Sequence, residues 1–130
     1  MSAEPESFSD LPPLPDLVVN TERLQEVTSL EVDEVRALMD LYFSQAEECI
    51  PRLQQSVSSG DLADATRTAH KLAGSSLSCG LDRIGQLFRF LERACIEENQ
   101  AKASSLAASI DAEFASVRAA IAKFLADTNP

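Results

Sequence analysis

Apolar residues recur at steps of three and four along most of this chain, and that spacing admits helices and little else. In the longest run the stripe is Val35, Leu38, Tyr42, Ala46, Cys49, Leu53 and Val57, which lines one side of a helix rather than one face of a strand. Ile84, Leu87, Phe88, Leu91 and Cys95 repeat the period, as do Leu106, Ile110, Phe114, Val117, Ile121 and Phe124. Between them Leu62, Ala65, Ala69, Leu72 and Ser76 fall within a wedge of roughly 80° on an ideal helix. Aromatic residues are only 5% of the chain while alanine and leucine abound, a mixture that favours packed helices over a sheet. The pattern predicts an all-α fold, an up-down antiparallel four-helix bundle with a short additional N-terminal helix.

Local signals set the borders. Pro5, Pro12, Pro13 and Pro15 exclude regular helix from residues 1–19, which read as an extended or disordered Pro-rich tail. A short helix is expected over 21–27, capped by Asn20 or Thr21, and a long one over about 32–58. Pro51 lies inside the long helix and should kink it. Ser58-Ser59-Gly60 breaks the pattern, and Asp61 caps a third helix that runs to about Cys79, where Gly80 supplies a left-handed stop. Asp82 is expected to cap the fourth helix, which ends near Glu98-Asn99, and a single fifth helix continues to about Ala126. The bundle is then 20–126, with 127–130 a frayed C-terminus.

Charge and cysteine usage exclude several functions. The chain has 21 acidic and 11 basic residues, a net charge of −10, so nucleic acid and anionic membrane surfaces are poor partners. Cys49, Cys79 and Cys95 are odd in number, widely spaced and near apolar helix positions, which reads as reduced thiols packed in a core. No metal site is expected from them. The first residues lack a basic segment and an apolar one, and no apolar run approaches the roughly 20 residues of a membrane span. A cytoplasmic monomer is expected.

The one histidine, His70, sits roughly 130° from the centre of the third helix's buried seam. It should face solvent. Its neighbours one turn away are Thr66 and Arg67 on one side and Ala73 and Gly74 on the other, and Ala63 and Leu77 extend that face. Glycine inside a helix costs about 1 kcal/mol relative to alanine, so Gly74 calls for a reason, and close approach by a partner is one. An exposed imidazole is substantially neutral at pH 7 and is a competent nucleophile toward an activated phosphoryl group. The chain has only 4 glycines and no phosphate-cradling loop, so nothing points to ATP binding. A surface histidine with no role could stand at the same position.

At these residues the chain resembles the histidine-containing phosphotransfer domains of multistep phosphorelays. Their signature looks like His-x-Leu-Lys-Gly-Ser-(Ser/Ala)-x-x-x-Gly, and here the run is His70-Lys71-Leu72-Ala73-Gly74-Ser75-Ser76-Leu77-Ser78-Cys79-Gly80. Leu81-Asp82-Arg83-Ile84, Leu91-Glu92, Leu41-Tyr42-Phe43 with Leu53, and Gly60-Asp61 are also similar, so the resemblance covers about residues 20–126. It implies a four-helix bundle that carries a phosphoryl group on His70 without catalytic turnover of its own. The partners implied are response-regulator receiver domains and a hybrid histidine kinase. No resident cofactor is implied, and Mg2+ would be supplied by the receiver. Gly74 would keep the docking face clear, and Ser75 and Ser76 would serve packing or hydrogen bonding. The chain departs from the pattern at Ala73, where the family usually has a lysine that helps neutralise the phosphoryl group. Arg67, about 60° around the helix from His70, or Lys71, about 100° away, could substitute, and both could equally be solvated charges. Gly85, Arg89, Glu92 and Ile96 would extend the docking surface if that side of the fourth helix adjoins His70. A non-phosphorylated helical module that docks and inhibits a receiver or kinase is the alternative function.

Overall fold

The computed structural model describes residues 13–128. Residues 1–12, most of the expected tail, and residues 129 and 130 lie outside that range. Six helices follow in order: α1 (Thr21–Val27), α2 (Val32–Ser59), α3 (Leu62–Ser78), α4 (Asp82–Ile96), α5 (Gln100–Ala107) and α6 (Ile110–Thr128). They form a helical bundle with no strand among the described residues. None of these helices is long and apolar enough to cross a membrane.

The helix borders follow from side chains that satisfy end groups. Asn20 Oδ1 accepts the Arg23 N–H at 3.2 Å, and Asp61 Oδ1 accepts the Asp64 N–H at 3.1 Å, opening α1 and α3. Gly60 at φ 82° and Gly80 at φ 77° take the left-handed conformation after α2 and α3. Asp82 does not cap α4 as expected. The cap residue is Leu81, which makes no side-chain cap bond, and the Asp82 carboxylate instead accepts a hydrogen bond from Asn20 Nδ2 at 2.9 Å. Leu81 is 0% exposed, so burying it fixes the turn and leaves Asp82 to tie down α1. The Asn20 N–H completes that tie by donating to the Gly80 carbonyl.

Two further expectations are corrected. The expected fifth helix is divided at Ala108–Ser109, where the Ser109 N–H bonds to the Leu106 carbonyl in a tighter turn. Asn99 opens the first of the two pieces by accepting the Lys102 N–H at 3.1 Å. The division keeps both Leu106 and Ile110 buried. At the other end α6 runs past Ala126 through Asp127 to Thr128, and Lys123 pairs with Asp127 one turn on. Pro51 lies within an α2 that is assigned without a break. Pro51 and Glu47 are both exposed, so the hydrogen bond that proline removes falls on the wet side.

Polar pairs set how the helices run. Tyr42 on α2 bonds Ser76 on α3 at 2.7 Å, with both buried, and burial pushes the Tyr42 hydroxyl up to about 12. Near the opposite end Arg52 makes two bonds to Asp64, at 2.7 and 3.2 Å, and the Ser56 hydroxyl adds a third at 2.5 Å. These pairs make α2 and α3 antiparallel. Arg83 on α4 grips Glu113 on α6 with two bonds. Around them Leu53, Leu72, Leu87, Phe88 and Leu91 fill the core at 1% exposure or less. The chain ahead of α1 also lies on the bundle: Leu14, Val18 and Val19 pack against the core, and Arg83 donates to the Pro15 carbonyl at 3.1 Å.

Candidate functional site

His70 stands on the open side of α3 with 71% of its side chain exposed, and Nδ1 lies 2.8 Å from Glu92 Oε2 on α4. Glu92 is 18% exposed, so the histidine is wet while the carboxylate that holds it is lodged between helices. An ionised carboxylate only accepts, so Nδ1 carries the hydrogen and Nε2 keeps its lone pair. The ring is thereby fixed in rotation and tautomer, with its nucleophilic nitrogen outward. From the sequence Glu92 was expected only to extend a docking surface on the fourth helix and was not paired with His70. The pairing follows from the register of two antiparallel helices: the same register brings Gly85 against Leu77 further along.

The neighbours separate into those that remain open and those that do not. Ala63, Arg67, Lys71 and Gly74 are exposed, and Thr66 and Leu77 are half-buried. Thr66 turns its hydroxyl back to the Leu62 carbonyl at 2.7 Å. Ala73 was expected on the docking face, but it is 1% exposed. The buried arc of α3 is wider than its apolar seam because α2 and α4 flank it on two sides, and it takes in Asp64, Thr68 and Ala73. A Cβ placed on Gly74 would meet nothing within 4 Å, so no packing demand explains that glycine. Gly85 is the opposite case. It was expected to extend the docking surface, yet it is buried, and a Cβ there would meet Leu77 Cδ2 at 2.6 Å. Gly85 lets α4 approach α3 closely.

The cations near His70 differ in availability. Arg67 does not point to the histidine: its Nη2 lies 3.3 Å from Asp64 Oδ1. Arg52 and Ser56 hold the same carboxyl well below the usual carboxylate range. Lys71, Arg89 and Arg93 are exposed and make no hydrogen bond or ion pair among the described residues. On α4 Ile96 is 61% exposed, beside a shallow cleft that it lines with Ala63, Thr66 and Arg67. Cys79 and Cys95 are buried and burial pushes both thiols up, which makes them weak nucleophiles.

A family model described as Hpt domain matches residues 37–120, a span that holds His70, Gly74 and Glu92. Among curated proteins and among solved structures, none matches the chain.

Proposed function

The chain belongs to the Hpt domain family, whose role is histidine phosphotransfer in phosphorelays, and on that premise we propose that His70 is the residue that carries the phosphoryl group. The observation behind this reading is the ring's arrangement: Nδ1 is held by Glu92 at 2.8 Å and Nε2 is left free on an exposed face. The donor is the aspartyl phosphate of a response-regulator receiver domain, itself charged by a hybrid histidine kinase, and the acceptor is the aspartate of another receiver. All of this takes place in the cytoplasm.

In the transfer, the Nε2 lone pair forms a bond to phosphorus while the bond from phosphorus to the aspartyl oxygen breaks. The electron pair of the broken bond returns to the aspartate as a carboxylate. The Nδ1 proton stays where it is, so the phosphorylated ring is cationic, and Glu92 stabilises that positive charge. Transfer onward reverses these changes. Phosphoryl transfer depends chiefly on positioning and charge neutralisation. This chain supplies the positioned ring, and the Glu92 carboxylate beside it is already committed to Nδ1. Mg2+ therefore comes with the receiver.

The test is incubation with a receiver charged by its kinase or by acetyl phosphate, followed by detection of label on this protein. The label should be acid-labile and alkali-stable, and His70→Gln should abolish it. Label that persists in that variant would overturn the assignment of His70. Tight binding to receivers without any label would favour the non-phosphorylated docking module, a reading to which Ala73 lends some weight.

A further inference from the structure

A phosphoryl group on Nε2 brings about two negative charges beside the Glu92 carboxylate. Like charges at that separation repel, and a nearby guanidinium is the usual remedy. Five cations are candidates for that role, and the structure ranks them. Arg67 is tied to Asp64 at 3.3 Å. Lys71 follows His70 directly, about 100° around α3. Arg93 follows Glu92 in the same way on α4, and lines a cleft made only of α4 side chains and Glu97. Arg23 lines the same cleft as Gly74 and Arg89, but it stands on α1, whose cap is fastened to Gly80 and Asp82 beyond the C-terminal end of α3.

Arg89 combines two placements that none of these has together. It lies one turn before Glu92 on α4, and helix residues three apart are neighbours on one surface. It also lines a cleft with Gly74 and Leu77 of α3, and Gly74 is one turn after His70. Arg89 therefore borders the seam between the helices on the C-terminal side of the histidine. It is exposed and makes no ion pair among the described residues. Nothing crowds the approach, because Gly74 presents no side chain and has open space around it.

We propose that Arg89, reaching from α4 across Gly74, is the phosphoryl-binding cation of this site. The assignment rests on His70 being the carrier, and it replaces the expectation that Arg67 or Lys71 could serve. Arg67 instead joins the α2–α3 junction at Asp64.

The test charges the full chain with potassium phosphoramidate, which needs no receiver, and follows the phosphohistidine by phosphorus NMR across pH. A cation beside the phosphoryl favours its dianion and lowers its second ionisation. For an exposed pair the expected rise on Arg89→Ala is about half a pH unit, with Arg67→Ala unchanged and Arg89→Lys close to the parent. Melting temperatures of the two Arg89 variants, read alongside, should match the parent because the Arg89 side chain has no partner among the described residues to lose. An unshifted ionisation in Arg89→Ala, or a shift in Arg67→Ala alone, overturns the assignment and leaves the carrier reading standing. If His70 in the parent takes no phosphoryl group at all, the carrier reading falls and this assignment falls with it.

Discussion

Replacing Gly74 with alanine should make the protein more stable and less competent. The site lies within α3, and a Cβ there meets nothing within 4 Å, so the change adds a methyl group without a clash. Glycine in a helix interior is about 1 kcal/mol less favourable than alanine. Unfolding entropy of about 2.1 cal/mol/K per residue gives roughly 0.27 kcal/mol/K for a chain of this length, hence a rise in melting temperature of about 4 °C. The same methyl stands one turn from His70, where the proposed function has a receiver dock. Transfer from a charged receiver should slow by about tenfold, which corresponds to 1.4 kcal/mol in the barrier. Labelling by phosphoramidate, which is small, should not change. Thermal melts followed by circular dichroism and parallel transfer assays read both effects. A fall in melting temperature would show that the open space at Gly74 is wrongly described. Unchanged transfer from the receiver would remove the docking role. Gly85→Ala is the control, because its Cβ would meet Leu77 Cδ2 at 2.6 Å. It should destabilise by about 1–3 kcal/mol.

Glu92→Gln preserves the shape of the His70 contact but removes the charge, and transfer from a receiver should slow by about tenfold while the melting temperature holds; a parent-like rate would show that the charge is idle. Tyr42→Phe removes the partner of a fully buried Ser76 and should cost about 1 kcal/mol in chemical denaturation. Asp64 has a folded-state pKa held down first by Arg52 and then by Ser56. Its contribution is fully present above about pH 4 and is lost as the pH falls through the depressed folded value. Acid titration of stability should therefore be steeper in the parent than in Asp64→Asn, and identical slopes would refute the linkage.

The helices and their caps were legible in the sequence because period, proline, glycine and capping residues act locally. Asn20, Asp61, Gly60 and Gly80 all serve where the residue types place them. The misreadings arise where a second element decides. Asp82 looked like a cap until Asn20 from α1 claimed it. Ala73 looked open because a single helix shows only its own apolar seam, and α4 covers more of α3 than that seam. Arg67 was aimed at the phosphate from spacing along α3, while Asp64, one turn before it on the same helix, takes the guanidinium. Glu92 is 22 residues from His70, and no reading along one helix relates them. The division at Ala108–Ser109 has no glycine or proline to announce it.

The fastening of α1 bears on how this unit can be moved between proteins. Leu24 of α1 is 0% exposed, and a Cβ on Gly80 would meet the Asn20 carbonyl oxygen at 2.6 Å, so the turn after α3 is shaped around the segment that precedes α2. A cut just ahead of α2 would strip that end of the bundle and leave the Gly80 carbonyl without its donor. Grafting the phosphotransfer unit into another chain, or fusing a reporter at its front, thus requires the residues before α1 as well. The portable piece begins no later than the stretch of Leu14 to Val19 that packs on the core.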